Sequence, residues 1–177
     1  MKKNTLLGIL AIIVVFIAGC ELATNPLVFD SSIRTDGFKI NVPSGMPAST
    51  LEKSVDLGEL RDVVDKDIES IRFYNMTLMI ENNKYPNATI SGSLKINGTT
   101  LLTLNNVHTN IFHIEKSIFD TSGTNMQIDN AGLTLLVNAI KANPPGTVSM
   151  KAELQPLSEA LDFTLWIKIY GQITAKP

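Results

Sequence analysis

The chain has a single cysteine, Cys20, in 177 residues. One thiol excludes an internal disulfide and any thiolate metal cluster. A large excess of charge of one sign is missing too: 15 basic residues stand against 17 acidic ones. A mildly acidic chain lacks the electrostatic footprint of a nucleic-acid binder. There is no Gly-x-Ser-x-Gly elbow, no phosphate loop and no His-Glu-x-x-His, so the common hydrolase, nucleotide and zinc-protease signatures are absent. Long apolar runs are also scarce. The one such run, Leu6 to Ala18, covers 13 residues, and a membrane-spanning helix needs about 20.

That run is the most informative segment present. Lys2 and Lys3 precede it, and Ile17-Ala18-Gly19-Cys20 closes it. Basic start, short apolar middle and small residues at a cut site are the order of a secretory signal. The residues after Cys20 carry no stop-transfer cluster of Lys or Arg. The Ile-Ala-Gly-Cys ending resembles the lipobox of bacterial lipoproteins. That resemblance implies cleavage before Cys20, a diacylglyceryl group on its thiol and an acyl group on the new amino terminus. Several chains together give firm anchoring, where one alone is marginal. Residues 1–19 are then a cleaved signal. Loss of Lys2 and Lys3 takes the basic residues from 15 to 13 against 17 acidic, a net charge of −4 for a mature chain of 158 residues. With no polybasic patch, the lipids on Cys20 are the whole expected membrane attachment. Glu21 rather than Asp follows Cys20, so the enterobacterial inner-membrane retention signal is missing. The outer membrane, facing periplasm or surface, is the expected location.

Residues 20–37 read as a lipidated tether, and residues 38–177 as one domain. Phe38, Ile40 and Val42 alternate with polar residues, as a strand does. Val55 and Leu57 mark another strand, and residues 58–66 a short helix. Ile68 to Ile80 reads as a long central strand, with Tyr74, Met76, Leu78 and Ile80 sharing one face. Residues 88–96 form a half-buried strand ending at Asn97-Gly98, the strongest short hairpin signal. A plain two-residue turn would point Leu102 and Leu104 outward. One bulge residue returns them to the core. Residues 107–114 are a further strand candidate. Asp129 is a fitting N-cap for an amphipathic helix over about 129–142, stopped by Asn143-Pro144-Pro145-Gly146. Val148 to Leu154 alternates. Leu161, Phe163, Leu165, Ile167, Ile169 and Ile173 line one face of the last strand. Seven to nine strands without βαβ alternation predict a mainly β fold, an antiparallel β-sandwich.

Candidate chemistry is thin. His108 and His113, five apart along a strand, fall on opposite faces and make poor co-ligands. In the acidic stretch Asp62, Asp65, Asp67 and Glu69, the last three alternate like the start of a calcium loop, but the glycine and closing Glu are missing, so a solvated helix face is expected. Asp120-Thr121-Ser122-Gly123-Thr124 is similar to the active-site loops of aspartic proteases and phosphorylating ATPases. It lacks a second copy for the first and the lysine for the second, and reads as a turn. Asn75-Met76-Thr77, Asn87-Ala88-Thr89 and Asn97-Gly98-Thr99 match the glycosylation sequon by coincidence. Trp166 and Tyr170, on the polar face of the last strand, are the candidate contact surface; the plainer expectation is that the helix or a second sheet covers them. No cofactor, metal or catalytic residue is expected.

From Ile68 onward, the pieces 79–83, 91–103, 133–142 and 161–173 resemble the water-stress and hypersensitive-response domain of the late-embryogenesis-abundant type. Asn82-Asn83 stands where that family has Asn-Pro. The resemblance implies a small β-sandwich without catalytic residues. The leading expectation is therefore a non-enzymatic binding or structural module on a lipid anchor, with an unidentified envelope protein as partner. The alternative is a carrier of lipid or another apolar ligand, with a cavity lined by Tyr74, Met76, Leu78 and Phe163.

Overall fold

The computed structural model describes residues 26–61, 67–142 and 145–176. The lipobox, Cys20 and the 1–19 segment lie outside them, as do Asp62 and Asp65. Among the described residues ten strands build two antiparallel sheets, as expected of the sandwich. They are β1 (Leu27–Arg34), β2 (Phe38–Val42), β3 (Ser49–Asp56), β4 (Ile68–Glu81), β5 (Thr89–Ile96), β6 (Thr99–His108), β7 (Lys116–Ser117), β8 (Met126–Ile128), β9 (Thr147–Pro156) and β10 (Leu161–Ala175). Among the described residues one α-helix, α1 (Asn130–Lys141), follows β8.

One sheet runs β1-β10-β4-β7, with β2 also on β10, and the other runs β3-β9-β5-β6-β8. Both β1 and β2 lie along one edge of β10: Leu27 faces Ala175, Arg34 faces Lys168, and Phe38 to Val42 face Leu165 to Leu161. They are two halves of one interrupted strand. Counted so, the orders β2-β10-β4-β7 and β3-β9-β5-β6 are jelly-roll connectivity.

The expected tether is shorter than its 20–37 reading, because Leu27–Arg34 is a strand of the sheet. Its alternation is real but masked in the sequence by Asp30, Ser31 and Ser32, of which only Ser31 turns inward. Residues 107–114 are also corrected. β6 continues to His108, and a 3-10 turn takes Thr109–Phe112. Of the short helix read over 58–66, Leu57–Leu60 is a 3-10 turn and residues 62–66 lie outside the described residues.

Three local devices set the registers. The Asn97-Gly98 turn pairs Ile96 with Thr99, both turn residues having positive φ, the geometry of a type I′ hairpin. The bulge expected at that turn sits two residues on. Lys95 faces Thr100 and Leu94 faces Leu102, so Leu101 is the extra residue. Leu102 and Leu104 then reach the core, and Leu101 is itself fully buried beside α1. A second bulge lies on β4, where Asn75 faces Tyr170 but Phe73 faces Gly171. Tyr74 is the extra residue and turns outward, 47% exposed, while Met76, Leu78 and Ile80 stay in the core. Sharing one face was therefore correct for the last three and wrong for Tyr74; one bulge residue shifts the period-two pattern.

β10 is the spine. Its odd-numbered residues from Leu161 to Ala175 are buried without exception, each large aliphatic one contributing about 1.5–3 kcal/mol by burial. α1 starts at Asp129, whose carboxylate accepts from the Ala131 N–H at 2.8 Å and whose N–H donates to the Leu101 carbonyl at 2.9 Å. Leu136 and Ile140 turn inward. Gly132 lets the helix seat on β6: a Cβ there would fall 2.2 Å from the Thr100 oxygen and 2.6 Å from the Leu101 Cα. Edge strand β3 carries Lys53 on the same side as Val55, its ammonium 5.7 Å from the Phe38 ring centre. An inward-pointing charge of this kind discourages pairing of an edge with another chain.

Candidate functional site

The face of β10 that points away from the core carries Thr164, Trp166, Lys168, Tyr170 and Gln172. Neither α1 nor the second sheet covers it. Neighbouring strands do so in part, and Trp166 and Tyr170 are treated differently.

Trp166 lies beside the break between β1 and β2. Gly37 sits under its ring, where a Cβ would come within 3.1 Å of it and 2.3 Å of Thr164 Cγ2. Arg34 covers the ring, its guanidinium carbon 3.8 Å from the ring centre. The same Arg34 reaches Glu81 on β4 at 2.8 Å. A cation–π contact and an ion pair thus span β1, β10 and β4. Thr35 secures the break below, its N–H donating to the Ile167 carbonyl at 2.9 Å and its hydroxyl accepting from the Ile167 N–H at 3.2 Å. The Trp166 Nε1 is buried without a hydrogen-bond partner. Trp166 is thus held between Gly37 and Arg34.

Tyr170, like Trp166 only partly exposed, is held by a different set of partners. Its ring meets that of Tyr74 at 5.7 Å between centres and 46° between planes, a tilted aromatic pair. The Tyr170 hydroxyl donates to Glu115, and the Lys168 ammonium lies 4.7 Å from the Tyr170 ring centre. Glu115 also receives Thr77 Oγ1 at 3.3 Å and Lys168 Nζ at 3.5 Å. These bonds, the Tyr170 hydroxyl foremost, hold the Glu115 carboxyl below its ordinary range despite partial burial. Lys168 is held above its ordinary range by Tyr170 and Glu115. Nearby, the Asn75 carboxamide oxygen accepts from Ser117 Oγ at 2.7 Å and from the Met76 N–H at 2.8 Å. The Gln172 amide donates to Asp30 at 3.4 Å. Sequence reasoning reached Trp166 and Tyr170 through alternation. Tyr74 and Glu115 escaped it, since a bulge and a loop with no periodicity bring them there.

The other candidates are placed apart. His108 ends β6, and His113 follows the 3-10 turn with its Nδ1 donating to the Asn110 carbonyl at 2.5 Å. Among the described residues no group of three or more His, Cys, Asp or Glu is arranged to hold a metal. Asp67 and Glu69 are exposed. Asp120 pairs with Lys116, and Thr124 N–H closes a turn on the Thr121 carbonyl at 3.1 Å. The four residues named for an apolar-ligand cavity do not line one together. Tyr74 is outside, and Met76, Leu78 and Phe163 are at most 3% exposed in the core. The cavity between the sheets that includes Leu78, Ile80, Leu94, Phe112 and Phe163 measures about 20 Å³, room for about one water. Among the described residues no helix is long and apolar enough to cross a membrane.

The arrangement defines a jelly-roll β-sandwich with an aromatic and polar patch on one outer face. No protein-family model matches the chain, and no curated protein matches it. Solved structures with a similar course include a protein of turnip yellow mosaic virus, at 6% identity over 86% of this chain and 96% of that one, TM-score 0.42. Another is from Desmodium yellow mottle tymovirus, at 14% identity over 86% and 90%, TM-score 0.38. A third is a family 35 carbohydrate binding module from Clostridium thermocellum, at 9% identity over 84% and 97%, TM-score 0.30. At these scores the likenesses carry no argument about function.

Proposed function

We propose that this chain is an envelope lipoprotein, held to a membrane by acyl chains on Cys20, whose β-sandwich is a non-enzymatic binding or structural module. The observation that carries the reading is the order Lys2-Lys3, a 13-residue apolar run and Ile17-Ala18-Gly19-Cys20, with Cys20 the sole cysteine. The first described strand begins at Leu27, seven residues after Cys20. At no more than about 3.5 Å per residue, the anchor holds the domain within roughly 25 Å of the bilayer surface. Glu21 after Cys20 favours the outer membrane. The late-embryogenesis-abundant resemblance belongs to the same proposal; its pieces fall on β4, β5, β6, α1 and β10. On the module, the Tyr74–Tyr170 patch is the contact surface, because it sets the exposed Tyr74 ring beside fixed polar groups.

The test is fractionation of bacteria expressing the full chain. The wild type is expected in the membrane fraction and resistant to extraction by salt. Cys20→Ala is expected to lose that salt-resistant attachment. A Cys20→Ala variant as firmly bound as the wild type would refute the anchor.

A further inference from the structure

The Tyr74–Tyr170 patch has a chemistry that names its ligand class. The β4 bulge ejects Tyr74 from the pattern that buries Met76 and Leu78, and leaves its ring 47% exposed beside Tyr170. Bulges re-aim side chains in this way at functional positions. Around the two rings stand hydrogen-bonding groups fixed by their own partners: Glu115 by Tyr170 and Thr77, Asn75 by Ser117, and Gln172 by Asp30.

Charge decides what such a surface prefers. On this face Arg34 pairs with Glu81 at 2.8 Å and Lys168 with Glu115 at 3.5 Å, and Asp30 and Arg72, of opposite sign, flank Gln172 on its two sides, so neither sign is in excess around the two rings. A polyanion or polycation would have to break these pairs to gain its own. An uncharged ligand need not. The rings ask for an apolar surface to stack on, and the fixed polar rim asks for hydroxyl or amide partners. A sugar ring supplies both, a face of C–H bonds and a rim of hydroxyls. Proline-rich peptides also favour aromatic residues, but they dock in aromatic-lined grooves. Tyr74 and Tyr170 stand on an open sheet face, and neither lines any of the described cavities.

We propose that the outer face of β10 and β4 binds a neutral glycan chain, with one sugar ring stacked on Tyr74 beside Tyr170 and its hydroxyls bonded to Glu115, Asn75 and Gln172. This rests on the binding-module reading above. Trp166, the sole tryptophan, lies four residues from Tyr170 on the same face, about 13 Å away along the strand, and serves as an internal fluorescent reporter.

The test uses the mature lipidated chain in nanodiscs, titrated by calorimetry and Trp166 fluorescence. The probes are neutral hexasaccharides of β-linked glucose and of β-linked N-acetylglucosamine, and a decaproline peptide. At least one hexasaccharide is expected to bind saturably, with affinity unchanged as salt rises from about 0.05 to about 0.5 M. Tyr74→Ala is expected to weaken binding by roughly tenfold or more, while Tyr74→Phe, which keeps the ring, retains it. Thermal melting of each variant shows whether the domain is folded, and the exposure of Tyr74 makes both substitutions tolerable. Three results would overturn the proposal: no saturation by either sugar at about 10 mM, wild-type binding by a folded Tyr74→Ala, or binding of decaproline in place of sugar. The anchor is read separately in the Cys20→Ala fractionation, so its failure cannot be mistaken for failure of the glycan site.

Discussion

Gly132→Ala is a one-carbon change with a large expected effect. An exposed helix interior normally gains about 1 kcal/mol from this substitution, because alanine is the better helix former. Here the added Cβ would fall 2.2 Å from the Thr100 carbonyl oxygen and 2.6 Å from the Leu101 Cα. Ordinary contact begins at 3.4 Å, so α1 or β6 must move by about 1 Å. The obstructing atoms are backbone and cannot swing aside like a side-chain tip. Overpacking of this kind costs about 1–3 kcal/mol and occasionally more. The shift also strains the Asp129 N–H bond to Leu101 and the seats of Leu136 and Ile140. Placing the cost at or above the top of that range and subtracting the propensity gain leaves a net loss of about 2 kcal/mol. For a domain of this size that is a fall in Tm of roughly 4–8 °C. Equilibrium urea unfolding with an unchanged m-value and a lower midpoint is the matching signature. A Gly132→Ala variant as stable as the wild type, or more so, would refute the seating of α1 on β6.

Other consequences can be measured with the same assays. Asp129→Ala removes the carboxylate that accepts from Ala131 N–H and is expected to cost about 1 kcal/mol; no change in the urea midpoint would remove the cap from the account. Lys95 and Lys151 hold the Glu153 carboxyl down to about 2. A carboxyl depressed in the folded state contributes stability above its unfolded pKa, near 4.3, and loses it as pH falls through the folded value. Stability is therefore expected to fall between about pH 4.5 and pH 2, and Glu153→Gln to flatten part of that slope; a variant with the same acid profile would contradict the pairing. Phe163→Ala removes a core side chain of β10 that is 3% exposed and is expected to cost about 3–5 kcal/mol; a midpoint shift below about 1 kcal/mol would mean the core is looser than described.

Much of the fold was legible because the strands alternate cleanly. β10 shows why: from Leu161 to Ile173 every odd position but Gly171 is a large apolar residue, so face and length follow from period two alone. The α1 boundaries were legible through Asp129 and the proline pair. What escaped were places where local pattern and tertiary pairing disagree. β1 reads as a polar linker because Asp30, Ser31 and Ser32 dilute its alternation, and it is a strand because β10 offers eight partners from Lys168 to Ala175. Tyr74 was assigned to the wrong face because one extra residue in β4 shifts the register; β4 itself has neither glycine nor proline there, and the one mark, Gly171, lies opposite on β10. The patch proposed for contact was half legible. Tyr170 follows from alternation, while Glu115 reaches it from a loop after the 3-10 turn, 55 residues away in sequence.

The central claim is that Cys20 carries lipid. Intact-mass and peptide mass spectrometry of the full chain purified from bacterial membranes tests it directly. The account predicts a chain beginning at Cys20, with the mass of residues 20–177 plus a diacylglyceryl group and an amino-terminal acyl group, and all added mass on the peptide containing Cys20. A chain that retains residues 1–19, or one with an unmodified Cys20 thiol, would contradict it.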